Sequence, residues 1–381
     1  MTEYFIALDV HQAFTEIAVV TKTGRVVRRE RCNTRIPTLV QAIDAVRRPR
    51  RVTFEEGPLA GWLSRELREH VDELLVCEPR RNHLIAKESD KDDPLDAERL
   101  AHLYRGGYLK PVHQAESLER SLLKQHVSFY HDRVRERVRQ GNQLMAQFRR
   151  HGCFPKSGDL LDADERQAWL RCLPASKLLR GDLTLLLGVY DLLLEQEEQI
   201  RSQLIRAARW EEPVRRFLAL PGFSWIRAAT FYVYIDTPNR FRGKSALWRY
   251  CGIGLERRHS GQGPMRTRLC NRGNRRLKNV LLGAAMSAIA RADNPFADKY
   301  RYWTQEEGMR LPEARRNVAR CQAAVLWSLW KTGHEYDPQL VRGVGLTSET
   351  QPGEVKIDPA KRQSSLGGTR RGPRLAVPNS D

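Results

Sequence analysis

No Cys-x-x-Cys pair occurs in this sequence. The seven cysteines, Cys32, Cys77, Cys153, Cys172, Cys251, Cys270 and Cys321, are scattered and odd in number. That pattern excludes a disulfide framework and a zinc ribbon, and it fits the cytoplasm. No apolar run reaches the roughly eighteen residues of a membrane-spanning helix. The stretch Met1 to Val10 enters a strand-like run directly, without the basic segment and cleavable apolar stretch of a signal peptide. Internal repeats are absent. Acidic residues are in deficit: 46 Asp and Glu stand against 65 Lys and Arg, giving a formal net charge of +19. A chain this basic is expected to meet a polyanion, unless it is simply a soluble basic protein; the placement of the charge decides.

The 381 residues suffice for two or three domains, and an apolar content of 41% implies that most of the chain folds. Residues 1–112 read as three strands followed by alternating helices and strands. The strands are Tyr4–Val10, Glu16–Val20, Arg25–Arg29, Val52–Glu55 and Leu74–Cys77, with a turn at Lys22-Thr23-Gly24. The helices are Pro37–Val46, Leu59–Val71 and Asp93–Tyr104, the last anchored by Leu95, Leu100 and Leu103. This order implies a mixed sheet covered by helices.

Residues 113–212 are helical in pattern. Leu118, Leu122, Tyr130, Val134, Val138, Leu144 and Phe148 recur at three-to-four spacing, and Leu178–Ile205 forms a second stretch after a break at Cys153–Gly158. The reading is a long antiparallel hairpin for spacing and oligomerisation; periodicity alone fits an ordinary helical subdomain equally well. Residues 213–335 form a compact basic segment. Residues 346–381, rich in Gly, Pro, Ser and Arg, are expected to be a disordered tail. The fold class is thus α/β plus α.

Asp9 sits in a strand of otherwise apolar residues, where a carboxylate is costly unless it is paired or binds metal. Glu55 closes the strand Val52-Thr53-Phe54, with Phe54 expected to face the core on the opposite side. Asp93 and Asp96, three apart at a helix start, share one face. Carboxylates from two strands and a helix can converge on two Mg²⁺ ions and stabilise a phosphodiester displacement. Each acid alone has a plainer role: Asp9 as a turn residue, Asp93 and Asp96 as first-turn acids, with Asp90 and Asp92 nearby.

In the basic segment, Leu218–Phe223 followed by Ile226-Arg227-Ala228-Ala229 reads as two helices around a tight Gly turn. This is the pattern of a helix-hairpin-helix, and equally of a plain helical turn. Further on, Arg257, Arg258, Arg266, Arg268, Arg272, Arg275, Arg276 and Lys278 stand against Glu256 alone. Within that run lies Ser260, between His259 and Gly261. Accessible and surrounded by positive charge, it could attack phosphorus. By composition alone, such a Ser-Gly pair is more often a phosphate-contacting turn. His259 is not assigned as its base, because adjacent side chains in an extended segment diverge. Trp225, Trp248, Tyr250 and Trp303 could stack on bases, whereas Trp327 and Trp330, at helical spacing, read as core.

The segments Ala7-Leu8-Asp9-Val10-His11, Phe54–Ala60 and Asp93-Pro94-Leu95-Asp96-Ala97 resemble the four-acid domain of the insertion-sequence 110 transposase family, which also includes pilin-inverting recombinases. Pro221–Ala292 resembles the C-terminal transposase domain of the same family, in the same order along the chain. The resemblance implies an RNase H-like fold similar to the RuvC junction resolvase. It assigns Asp9, Glu55, Asp93 and Asp96 as Mg²⁺ ligands and Ser260 as the nucleophile that links covalently to DNA. The second acid departs from the family pattern and leaves Glu56 as an alternative. DNA of the element ends and target, a non-coding bridge RNA and a second or further copy of the chain are the implied partners. The location is the bacterial cytoplasm, at the nucleoid. Two other functions stay open: a RuvC-like junction nuclease that uses only the acids, and a non-catalytic nucleic-acid binder.

Overall fold

The computed structural model describes residues 3–79, 93–115, 117–156, 158–258, 266–270 and 272–343. Ser260, His259, Asp90, Asp92 and the segment 346–381 lie outside the described residues.

The N-terminal part is a five-stranded sheet in the order β3-β2-β1-β4-β5. The strands are β1 (Tyr4–Val10), β2 (Phe14–Thr21), β3 (Val26–Asn33), β4 (Arg50–Glu55) and β5 (Glu73–Cys77). β1 pairs antiparallel with β2 and parallel with β4, so it lies at the centre of the sheet. Alternation along β1 divides the core in two. Ile6 and Leu8, with Val52 and Phe54, pack under α1 (Ile36–Asp44) and α2 (Ala60–Leu67). Phe5 and Ala7, with Ala18 and Val20, pack under α3 (Asp93–Arg105). Helices therefore cover both faces, as the order of elements implies.

Two local expectations are corrected. The helix expected over Leu59–Val71 ends at Leu67 and tightens into one 3₁₀ turn, Arg68–His70. Leu95 does not anchor α3: it is 38% exposed, while Ala97, Leu100, Ala101 and Tyr104 make the contact. The sheet surface opposite is itself built from Ala7 and Ala18, so small residues on both sides let helix and sheet approach closely.

The rest of the chain is mainly helical. α4 (Leu118–Arg150) and α6 (Lys177–Ala208) form the antiparallel hairpin, with a short α5 (Ala163–Arg171) between them. Ser117, Asp162 and Ser176 cap the three helices through side-chain oxygens. α5 follows the expected break at Cys153–Gly158 and is an addition to the plain hairpin read from periodicity. At the tip, Leu144, Phe148, Leu160, Leu183 and Tyr190 form a separate small core. At the base, Leu123, Val127, Leu204 and Ala208 join the core of the C-terminal part. Leu118, Leu122 and Val138, expected on the buried stripe, are exposed.

That C-terminal core is built from α7 (Glu212–Phe217), α8 (Trp225–Ile235), α9 (Lys244–Tyr250), α10 (Arg275–Ile289), α11 (Pro295–Gln305), α12 (Leu311–Thr332) and α13 (Pro338–Gly343). A β-hairpin, β6 (Leu255–Arg258) with β7 (Arg266–Leu269), projects between α9 and α10. No described helix is long and apolar enough to cross a membrane.

The Gly turn between α7 and α8 is the tightest contact of this core. Gly222 has φ +89°, and a Cβ there would lie 2.1 Å from the Ala284 carbonyl oxygen on α10. Substitution Gly222→Ala should cost about 2 kcal/mol or more in a denaturant melt, through left-handed strain and overpacking together. The exposed neighbour Ser224, whose side chain caps nothing, should tolerate alanine within about 0.5 kcal/mol.

Candidate functional site

β1 and β4 run in parallel with Leu8 opposite Phe54. The next step of that register sets Asp9 beside Glu55 at the C-terminal ends of neighbouring strands. Alternation fixes their side. Phe54 is fully buried against α1 and α2, so Glu55 turns to the other face, where α3 lies. Asp9 shares that face with Phe5 and Ala7. Glu56 lies beyond the strand end, its amide bonded to the Cys77 carbonyl. Asp93 is the first residue of α3, the helix on this same face, and its side chain lies outside the described structure. Asp96 stands one turn further on, half exposed, 3.3 Å from the Arg99 guanidinium.

Side chains not anticipated from the sequence complete this end of the sheet. His11 Nε2 lies 3.0 Å from Asp9 Oδ2, and its ring stacks on Phe14 at 4.6 Å. Its position two residues after Asp9 on an extended chain was the available signal. Glu16 faces Asp9 across the β1–β2 register, is 5% exposed and is neutralised by Arg31. A cavity of about 340 Å³ opens beside Glu55 on the α2 side of the sheet, walled by Val10, Phe54, Pro58, Leu59 and Leu63, and Asp9 does not line it. Among the described residues, no group of three or more His, Cys, Asp or Glu forms a metal cage. Two hard carboxylate oxygen donors on adjacent strands nonetheless suit a hard divalent cation that keeps several waters.

The basic residues divide by role. β6 and β7 pair Arg258 with Arg266 and Glu256 with Arg268, so the hairpin holds both ends of the segment that carries Ser260. The side chains of Arg257, Arg258 and Arg266 lie outside the described structure. Arg268, Arg272 and Arg275 are exposed and Lys278 half-buried. Arg276 is engaged internally: its guanidinium bonds the Ser128 hydroxyl, Tyr234 Oη at 2.6 Å and Asp132 at 2.7 Å. It ties α10 to α4. Asn274 caps α10 through the amides of Arg276 and Leu277. Trp225, Trp248, Tyr250, Trp303, Trp327 and Trp330 are all partly buried and pack against the C-terminal core.

The first turns of α4 run between the two parts. Lys124 approaches the Tyr234 ring at 5.7 Å. Although Lys124 is exposed overall, partial desolvation of its ammonium holds it below the usual lysine range and Arg240 adds to this, while Asp236 and Glu56 oppose it. A group on the sheet side and groups of the basic part thus act on one lysine. The sequence offered no signal for Lys124.

Residues 6–152 match the model of the IS110 DEDD transposases, and residues 214–301 match that of the transposase IS116/IS110/IS902 family. No curated protein matches the chain. With a four-acid transposase part and a C-terminal transposase part in that order, the chain belongs to the IS110 family of transposases.

Proposed function

We propose that this DNA transposase is a site-specific recombinase that cuts and rejoins insertion-sequence DNA through a serine–DNA covalent intermediate. The observation that supports the reading most is the register of β1 on β4, which sets Asp9 and Glu55 together on the face that receives α3. Asp9, Glu55, Asp93 and Asp96 would hold Mg²⁺, which when bound stabilises charge on a reacting phosphodiester. Ser260 Oγ attacks phosphorus and the strand oxygen leaves with a proton. Attack by a strand hydroxyl on the Ser260 ester reverses the exchange. The ester conserves the energy of the cleaved linkage, so rejoining needs no ATP. Arg268, Arg272 and Arg275 grip backbone phosphates.

A bridge RNA that selects donor and target fits the family resemblance and the net charge of +19. The acids and Ser260 belong to different parts of the chain, so a composite site between copies is the natural arrangement. An apolar stripe suits that assembly: Leu178, Leu185, Val189 and Leu192 on α6 are 83%, 73%, 48% and 52% exposed. Their spacing of seven, four and three keeps them on one side of the helix.

On a denaturing gel, the protein co-expressed with its element RNA and given junction DNA and Mg²⁺ should form a covalent adduct, and Ser260→Ala should abolish it. Cleavage without an adduct in both proteins would sink the serine chemistry and favour a water-activating junction nuclease. In the same assay Asp9→Asn and Glu55→Gln should each slow adduct formation by roughly two orders of magnitude, while Glu56→Gln changes it little. An unaltered rate in Asp9→Asn would count against a catalytic four-acid part.

Light scattering should report a dimer or tetramer for the full chain and a smaller species for Leu185→Asp with Leu192→Asp. A wild-type monomer would remove the stripe as an interface.

A further inference from the structure

A second basic feature lies away from the strand ends. An open cleft of about 650 Å³ runs between α4, α6, the start of α8 and α10. Arg135, Arg201, Arg227 and Arg276 line it, and no carboxylate does. None of its lining residues belongs to the sheet or to the β6–β7 hairpin.

The four guanidinium groups are unequally balanced. Arg135 and Arg276 share the single carboxylate of Asp132, and Arg201 has the exposed Glu198. Arg227 is half-buried and bonds only neutral acceptors, the Gly222 carbonyl at 2.6 Å and the Ser287 hydroxyl at 2.9 Å. No described carboxylate pairs with it. Burial holds its guanidinium below the usual range, and the nearby Arg291 adds repulsion. His131, on the same wall, is pushed down to about 4 by burial and by Arg276, so it adds no charge near neutral pH.

A half-buried cation without a counter-ion is costly, and the fold spends structure on holding it there. Gly283 on α10 leaves the space: a Cβ would come within 3.3 Å of Arg227 Nη2. The Gly222 turn, locked onto α10, supplies one of the two acceptors that aim Arg227. The described residues supply no anion to pair with it. Guanidinium forks suit phosphate oxygens, and Arg135 and Arg201 keep their side chains exposed at the cleft.

We propose that this cleft is a separate backbone-binding site that takes phosphates of a nucleic-acid strand, with Arg227 as the fixed counter-charge and Arg135 and Arg201 at its mouth. The assignment depends on the chain acting on nucleic acid, as proposed above. The phosphate could come from DNA or from RNA, which share this chemistry.

The test is fluorescence anisotropy of the full-length protein with a labelled DNA duplex and an RNA duplex of the same sequence, titrated over a range of salt. Arg201→Glu and Asn279→Glu place carboxylates at exposed positions in the cleft, and Arg206→Glu makes the same charge change as Arg201→Glu at an exposed position off it. With thermal melts unchanged, the cleft variants should lose roughly tenfold in affinity for at least one polymer. The slope of log affinity against log salt should fall by roughly one phosphate contact, and Arg206→Glu should do neither. The polymer whose binding falls is the occupant. If wild type binds and the cleft variants match Arg206→Glu on both polymers, the cleft is not a site, while the recombinase reading stands on its adduct assay. If wild type binds neither polymer, both fail.

Discussion

The arrangement of the acid site depends on one constraint, the parity of β1 against β4. Each strand carries a carboxylate at its end, and a strand's side chains alternate strictly between the two faces. Ile6, Leu8, Val52 and Phe54 commit one face to α1 and α2. The odd residues of both strands then have no choice. Asp9 and Glu55 emerge together on the α3 face, where Asp93 and Asp96 open the helix. A slip of one residue in the β1–β4 pairing would send one of the two acids into the apolar core. The fully buried Leu8 and Phe54 prevent that slip, so the same contacts that stabilise the sheet also position the acids.

The hairpin links this site to the basic part because it has two cores rather than one. Its tip packs on itself, and its base is buried among the helices that follow. Between the two lies a polar middle, with Arg137 paired to Glu197 and Gln140 bonded to the Leu186 carbonyl. A helix of 33 residues that serves two cores must turn different faces inward along its length. The cleft lined by Arg135 and Arg201 opens where the base meets α8 and α10.

The same fact explains which features the sequence disclosed. β1 and β2 were legible because each is a short run rich in β-branched or aromatic residues and bounded by turns, whereas β3, rich in arginine, runs four residues past its expected end and β6 and β7 carried no such run. Asp9 stood out because a carboxylate among Ile6, Ala7 and Leu8 needs a reason. α4 misled at Leu118, Leu122 and Val138 because a single apolar stripe presumes a single partner. Leu95 misled because apolar weight favours leucine, whereas close packing on Ala7 and Ala18 favours Ala97 and Ala101. Arg276 read as a phosphate contact from the density of charge around it; Asp132, far away in sequence, is what engages it. Arg227 stood in a motif and looked incidental, and only burial without a counter-ion marks it.

Asp236 shows how the two halves are fastened. It has φ +68° and ψ −51°, and the Thr237 amide bonds the Ile235 carbonyl at 2.9 Å, the rarer and strained form of γ-turn. Such a residue costs of order 1–3 kcal/mol unless its surroundings over-determine it. Here they do. His113, in the segment leading from the sheet to α4, contacts its carboxylate at 2.5 Å, and Arg120 bonds its carbonyl at 2.6 Å. Burial alone would raise the carboxyl's pKa, yet His113, Arg120 and Lys124 hold it below the usual range, so it stays charged. Arg120 also lies over the Tyr232 ring at 3.8 Å, and Tyr232 bonds Glu211. The strain at one residue is thus offset by charged contacts from the connecting segment and the first turns of α4. Those contacts set where α4 leaves the sheet, and with it the distance between the acids and the β6–β7 hairpin. A fastening built from charge and hydrogen bonds rather than apolar area is directional, so it fixes the angle at which α4 leaves the sheet as well as its position.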